Sequence, residues 1–154
     1  MRRSGILLHI SSLPSPYGIG TLGKAAYDFA DFLESSGQTL WQILPMGHTG
    51  FGDSPYQAFS AFAGNPYMID LDILCENGLL SRSEFDGIDW GRDSRQVDYG
   101  KLYENRIRVL RNIVPRFEKT REYESFCAEN AFWLDGYSSF TAYKEMFTGK
   151  PFFE

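Results

Sequence analysis

Residues 5–45 read GILLHISSLPSPYGIGTLGKAAYDFADFLESSGQTLWQILP and predict a strand, a helix and a second strand. The apolar runs at 5–10 and 39–45 are short and bounded by turn residues, which is typical of strands buried on both faces of a parallel sheet. The helical stripe between them consists of Ala26, Phe29, Phe32 and Leu33. Gly37 follows as a predicted C-terminal cap. This unit predicts an α/β fold with parallel strands.

Two long loops, residues 11–23 and 47–57, follow the predicted strands. Loops after parallel strands open on the same edge of a sheet, where α/β proteins build their sites. The second loop begins the segment HTGFGDSPYQAFSAFAGNPYMID, residues 48–70, which mixes large rings with short polar side chains. Aromatic faces cover a sugar ring while polar groups bind its hydroxyls. The alternative is a loop that packs its own aromatic residues as a small core.

The rest of the sequence predicts mainly helices. They are expected over residues 56–62, 71–77, 100–114, 122–134 and 137–147. Pro55 precedes the first of them, Gly78 ends the second, Pro115 ends the third, and Gly136 separates the last two. Residues 81–99 are polar and predict a surface loop. Because only two strands of the buried type are found, we expect this chain to be the N-terminal part of a longer protein.

Composition argues against several classes of function. The 154 residues carry a net charge of −5 with both signs interspersed, which does not indicate a basic surface for nucleic acid. Cys75 and Cys127 are far apart in sequence and are predicted to be reduced thiols, as in a cytoplasmic protein. The apolar run near the N-terminus is too short for an export signal, and no stretch is long enough for a membrane helix.

The segment YGIGTLG, residues 17–23, has the spacing of a dinucleotide-binding glycine motif. The loop before it is too long for that motif, and no acidic residue closes the next strand. We therefore predict no nucleotide site, no cofactor and no metal, since metal ligands are not clustered.

The sequence offers few candidates for acid–base chemistry. His9 and His48 stand beside neither a nucleophile nor a metal-ligand pattern, so a structural role is favoured for a lone histidine of this kind. Asp53 is the one acid inside the candidate loop, and Asp70 is a second carboxylate by proximity in sequence alone. A retaining glycosidase needs two carboxylates about 5–5.5 Å apart. Asp53 is expected to bind loop backbone or a substrate hydroxyl, and no residue is predicted to be catalytic.

Residues 5–23, residues 41–71 and VDYGKLY at 97–103 resemble the N-terminal part of 4-alpha-glucanotransferases of the amylomaltase (disproportionating enzyme) family. The resemblance implies the N-terminal portion of a (β/α)8 TIM barrel with a mostly helical insertion subdomain. Residues 1–46 would hold the first two strands and the first helix of the barrel. Residues 47–154 would hold the substrate-binding loop and the insertion.

The resemblance also implies a reaction. Segments of alpha-1,4-glucan would be transferred between maltooligosaccharides, or to glucose as acceptor, with retention through a covalent glycosyl-enzyme. The family's Asp nucleophile, its Glu acid/base and a further Asp lie in motifs that these 154 residues do not contain. The chain by itself is therefore expected to be inactive.

The resemblance carries over to individual residues. The substrate-binding positions it implies are Tyr56, Ser54, Asp53 and Gln57. Tyr56 matches the tyrosine that stacks on the sugar beside the scissile bond, and Ser54 lies in the same wall. Phe51 and Tyr103 match an aromatic pair that forms a second glucan-binding groove, although the family often has Tyr at the position of Phe51. The alternative function, of another class, is a non-catalytic glucan-binding module.

Overall fold

The computed structural model describes residues 2–50, 52–93 and 95–147. The chain divides into two compact units. The first unit comprises Met1–Phe59 and Gly64–Phe117, and the second comprises Ser60–Ala63 and Glu118–Glu154. The described residues that are predicted to bind glucan all belong to the first unit. The predicted division at residue 46 concerns the barrel of a longer protein and stays a prediction.

The first unit begins with the predicted strand–helix–strand arrangement. Its elements are β1 (Gly5–Leu7), α1 (Lys24–Ser35) and β2 (Leu40–Gln42), with a 3₁₀ turn at Ile10–Ser12. The strands pair in parallel, with Ile6 opposite Trp41. Gly37 has a φ of +69° and its N–H donates to the carbonyl of Glu34, which ends α1 at the predicted cap. The predicted order of strand, helix and strand and the parallel pairing are confirmed, whereas Phe32 of the predicted helical stripe is 52% exposed.

The strands are shorter and more exposed than predicted. Leu7 is 58% exposed and Leu40 is 47% exposed, whereas the apolar runs predicted strands buried on both faces. Trp41 is better covered, because its ring lies 4.8 Å from that of Phe29 on α1. A sheet of two strands with one covering helix shields one face, so apolar side chains of the other face meet solvent.

The helix predicted over residues 56–62 is wrong. These residues are irregular, and Thr49 forms an antiparallel bridge with Ala58. The N–H of Phe59 donates to the carbonyl of His48 at 2.9 Å. Backbone groups that pair across the loop are not free to form the i to i−4 hydrogen bonds of a helix.

The helix predicted over residues 71–77 is confirmed. α2 spans Leu71–Glu76 and follows a 3₁₀ turn at Pro66–Met68. The Asp70 carboxylate caps it by accepting a hydrogen bond from the N–H of Ile73 at 3.0 Å. Gly78, with a φ of +72°, follows the helix end.

Residues 81–99 contain core residues as well as surface, so their prediction as a polar surface loop is wrong in part. After a 3₁₀ turn at Arg82–Glu84, Phe85 is 1% and Trp90 is 6% exposed. Two isolated aromatic residues in a polar stretch produce no periodic pattern, so the sequence does not show their burial. The core of the first unit consists of Tyr17, Ile19, Tyr67, Leu71, Leu80, Phe85, Trp90, Leu102 and Val109.

The long helix predicted from Gly100 is confirmed as α3 (Tyr99–Arg111). Its first turn is capped by Asp98, whose carboxylate accepts from the N–H of Lys101 at 3.1 Å. A separate 3₁₀ turn at Val114–Arg116 carries the predicted helix-breaking proline.

The second unit contains α4 (Arg121–Glu129) and α5 (Ala131–Met146). The helices separate at Asn130, whose side-chain amide donates to the carbonyl of Phe126 at 2.8 Å. Gly136 lies inside α5, so the predicted break at that residue is wrong. A glycine costs a helix only about 1 kcal/mol relative to alanine, which neighbouring turns can tolerate.

Cys75 and Cys127 are free thiols, as predicted. Across the described ranges, no helix is both long and apolar enough to cross a membrane.

Candidate functional site

Residues 52–57 form a tight turn with positive φ at two consecutive positions. Gly52 has a φ of +93° and Asp53 a φ of +57°, a region that non-glycine residues rarely adopt. The N–H of Asp53 donates to the carbonyl of Gly50 at 3.1 Å, and that of Gln57 donates to the carbonyl of Ser54 at 3.0 Å. Backbone strain of this kind concentrates at functional sites, where surrounding bonds maintain it.

The turn presents Tyr56 to solvent. The Ser54 hydroxyl accepts a hydrogen bond from the N–H of Tyr56 at 3.3 Å, and Tyr56 is 73% exposed. Gln57 next to it is also exposed. Tyrosine rings usually contribute to packing, so an exposed ring on a hydrogen-bonded turn has a face available for a ligand. The structure thus brings Ser54, Tyr56 and Gln57 onto one turn.

Asp53 lies within electrostatic range of Tyr67 and Tyr99, and Tyr67 lies within electrostatic range of Tyr103. We call these three tyrosines the tyrosine cluster. Burial and the negative charge of Asp53 raise the pKa of Tyr67 to about 12, and the other two phenols add to the effect. Burial and Asp53 also raise the pKa of Tyr99. Burial raises the pKa of Asp53 itself. Protonated phenols donate hydrogen bonds and a carboxylate accepts them, which is the combination that sugar hydroxyls require.

Sequence reasoning missed two members of the tyrosine cluster. Tyr99 stands four residues before Tyr103 on α3, so the helical spacing was a usable signal that both share a face. Tyr67 is only 4% exposed and belongs to the core, and the sequence held no signal that its phenol lies near Asp53.

Of the two residues predicted to form the second glucan-binding groove, the structure describes Tyr103. Tyr103 is 71% exposed on α3 and is free to stack. Phe51 lies outside the described residues.

Both histidines are partly buried and contact neighbouring residues. Nδ1 of His9 accepts a hydrogen bond from the N–H of Leu44 at 3.3 Å, and burial lowers the pKa of His9. The His48 ring meets the rings of Phe59 and Tyr67 edge-on, with centroids 5.5 and 5.9 Å away. Burial lowers the pKa of His48 as well. Burial therefore favours the neutral form of both imidazoles.

Asp70 holds the loop that follows β1. One of its carboxylate oxygens caps α2, and the other accepts a hydrogen bond from the hydroxyl of Thr21. A Cβ atom at Gly23 would overlap this carboxylate, and one at Gly20 would overlap the carbonyl of Ile10. Close packing therefore accounts for both glycines, and Asp70 serves the fold rather than an acid–base pair.

The first unit also has a cleft in which two of the acidic side chains form ion pairs. This cleft of about 540 Å³ is lined by residues of the loop after β1, of α1 and of α2. Its Asp28 pairs with Lys24 at 2.6 Å, and its Asp72 pairs with Arg82 at 2.6 Å. Among the described residues, no group of three or more His, Cys, Asp or Glu is placed to hold a metal ion. The candidate site is therefore the turn at 52–57 with the tyrosine cluster.

Comparison with known proteins identifies relatives. Residues 8–154 match the family model of 4-alpha-glucanotransferases. A 4-alpha-glucanotransferase of Streptococcus pneumoniae is 52% identical, over 95% of this chain and 30% of its own length. One from Thermus thermophilus is 47% identical, over 97% of this chain and 30% of its own length. This chain thus spans about 30% of the length of these relatives.

A solved structure agrees with the sequence comparison. The amylomaltase from Streptococcus agalactiae in complex with acarbose superposes with a TM-score of 0.91 at 45% sequence identity. The superposition covers 97% of this chain and 31% of that chain. The resemblance that the loop and strand motifs suggested is confirmed, and the chain belongs to the 4-alpha-glucanotransferase family.

Proposed function

We propose that this chain is the N-terminal part of a 4-alpha-glucanotransferase that moves alpha-1,4-glucan segments between maltooligosaccharides, with glucose as an acceptor. The observation that carries the proposal is the match to an amylomaltase solved with acarbose, at 45% identity over 97% of this chain. The exposed Tyr56 ring on its hydrogen-bonded turn supports it, since a stacking face is what a sugar site needs.

The proposed fold of the full-length protein is a (β/α)8 TIM barrel with a mostly helical insertion. Residues 1–46 are its first two strands and first helix, and residues 47–154 are the substrate-binding loop and the insertion. Two observations support this. The strands are parallel with an intervening helix, and the apolar side chains of Leu7 and Leu40 are exposed and suited to burial by further barrel elements.

The proposed mechanism divides the work between this chain and the rest of the protein. Glycosyl transfer proceeds with retention through a covalent glycosyl-enzyme, with an Asp nucleophile and a Glu acid/base that lie outside these 154 residues. Within this chain, Tyr56 stacks on the sugar next to the scissile bond. Ser54 and Gln57 bind sugar hydroxyls, and Asp53 accepts a hydrogen bond from one of them.

A second glucan-binding groove is proposed at Phe51 and Tyr103. Its function is to hold a distant part of a long chain, so that its loss affects long glucans more than short ones. The exposure of Tyr103 supports this role. The phenylalanine ring retains stacking without the hydroxyl of a tyrosine.

The proposed setting is the cytoplasm, with no cofactor, no metal, no nucleic-acid partner and no membrane association. The two free thiols and the mixed surface charge support this setting.

The experiment is to express the full-length protein and to incubate it with maltotriose. We expect glucose together with longer maltooligosaccharides, because transfer conserves the number of glycosidic bonds. Glucose release with no longer product would indicate a hydrolase instead. If no product forms but maltoheptaose binds saturably, the non-catalytic glucan-binding module becomes the better description.

A further inference from the structure

A charged side chain lies in the core of the first unit. Arg106, on the inner face of α3, is 0% exposed. Its Nη2 donates to the carbonyl of Tyr67 at 3.1 Å, and its guanidinium carbon lies 5.2 Å from the centre of the Trp90 ring. Its Nε and Nη1 have no hydrogen-bond partner among the described residues. Burial lowers the pKa of Arg106 to about 10, so the group remains charged at neutral pH.

A buried arginine is not what packing alone favours. Removing a charge from water is costly, and an apolar side chain of similar volume is often neutral or stabilising in its place. The nearby carboxylate of Asp70 and the ring of Trp90 offset part of this cost. What the guanidinium adds over an apolar residue is a directed hydrogen bond to one carbonyl.

The carbonyl that Arg106 binds belongs to Tyr67, which is part of the core and also contacts the candidate loop. The ring of Tyr67 contacts His48 at 5.9 Å, beside the loop that leads to the turn. Its phenol lies within electrostatic range of Asp53 and of Tyr103. Arg106 stands three residues after Tyr103 on α3, about one helical turn away. The hydrogen bond from Arg106 therefore connects the helix that carries Tyr103 to Tyr67, which is within electrostatic range of Asp53.

We propose that Arg106 is a positioning residue that holds α3, and Tyr103 with it, in a fixed place relative to Tyr67 and the turn at 52–57. Arg106 does not touch glucan. It acts through the Tyr67 carbonyl by setting the separation between the two sets of sugar-binding side chains. The sugar as ligand rests on the proposed function, whereas the mechanical linkage does not.

The experiment compares three variants of the full-length protein. R106M removes the charge and the donors with little change in bulk. R106K keeps a charge and a donor but lacks the planar guanidinium that fixes the direction of the bond. R108M is the matched control, because Arg108 is exposed on the same helix and bonds only its neighbour Asn105 among the contacts that the structure records.

The readouts separate placement from stability. We measure kcat and KM for maltotriose and for maltoheptaose, and the inhibition constant of acarbose, all well below the melting temperature of each variant. R106M is expected to raise the KM for maltoheptaose and the acarbose inhibition constant about tenfold, with kcat for maltotriose reduced less than threefold. R106K is expected to raise both constants about threefold, and R108M to leave them unchanged.

Several results would overturn the inference. If R106M melts earlier but keeps the wild-type KM and inhibition constant, Arg106 only supports the core. If R106M does not fold, R106K decides alone, and wild-type binding by R106K refutes the role. Hydrogen exchange of residues 65–70 and 99–103 provides a readout without sugar. If the wild-type protein transfers no glucan while R106M still speeds this exchange, the proposed function fails and the linkage stands.

Discussion

Replacing Tyr56 by alanine in the full-length protein is the most direct test of the candidate site. The side chain is 73% exposed, so its loss costs little folding free energy; exposed positions generally stay within about 0.5 kcal/mol. The same exposure leaves one ring face available to a sugar. A tyrosine buries roughly 200 Å² when fully covered, so one face accounts for about 80 Å².

The expected loss follows from that area. At about 25 cal/mol per Å², 80 Å² corresponds to about 2 kcal/mol. If the ring stacks on the sugar beside the scissile bond, this energy is lost from the transition state. The predicted fall in kcat/KM for maltotriose is then about 30-fold.

The assay is glucose release from maltotriose, with a melting curve for every variant. Y56F keeps the ring and is expected to stay within about threefold of wild type, because an exposed stacking face is unchanged. Y27A is the matched control, since Tyr27 is a similarly exposed tyrosine, at 68%, on α1 and not on the turn. An unaltered kcat/KM in Y56A, or an equal loss in Y27A, would refute the stacking role.

Three further outcomes test the fold. G136A should raise the free energy of unfolding by about 0.5–1 kcal/mol, because a Cβ there meets nothing within 4 Å and alanine favours the helix; a lower melting temperature contradicts this. D70A should cost about 2 kcal/mol in urea unfolding, because it removes the cap of α2 and the bond from Thr21; a loss below about 0.5 kcal/mol would show that neither bond matters. The bond from Arg116 keeps the pKa of Glu84 below its usual range. The stabilisation by Glu84 is therefore present above the unfolded-state pKa and lost as pH falls through the lower folded-state pKa. The melting temperature of wild type should exceed that of E84Q at pH 7, and the difference should vanish in acid.

The parts of the fold that the sequence predicted are those specified by nearby residues. The stripe of α1 and Gly37 at its end are separated by a few positions, and each acts locally. The helix predicted behind Pro55 failed because the loop forms a bridge from Thr49 to Ala58, a pairing that no local pattern encodes. Phe85 was misassigned for the same reason: its burial depends on Tyr17, whose ring lies 5.3 Å away but 68 positions earlier in the chain.

The position of the break between α4 and α5 could not be predicted from helix propensity. Gly136 has the weaker intrinsic helix propensity, yet the helices separate at Asn130. Asn130 bonds the carbonyl of Phe126 and accepts a hydrogen bond from the indole of Trp133, so its side chain satisfies backbone and ring groups on both sides. Propensity ranks residues one at a time, whereas a helix end is decided by whether the freed polar groups find partners.

In the candidate site, too, some residues could be predicted from the sequence and others could not. Tyr56 and Tyr103, whose proposed roles require exposure, were predicted from the family resemblance, and both side chains are exposed. Tyr67 differs, because its ring packs in the core, its carbonyl accepts a hydrogen bond from Arg106, and its phenol lies within electrostatic range of Asp53. A substitution there alters packing and site geometry together, so stability measurements alone cannot assign its function. Arg106 is bonded to the carbonyl of Tyr67 and takes no part in the contacts of the Tyr67 ring with His48. Variants of Arg106 can therefore change the geometry of the site without changing the packing of the Tyr67 ring, which a substitution of Tyr67 itself cannot do.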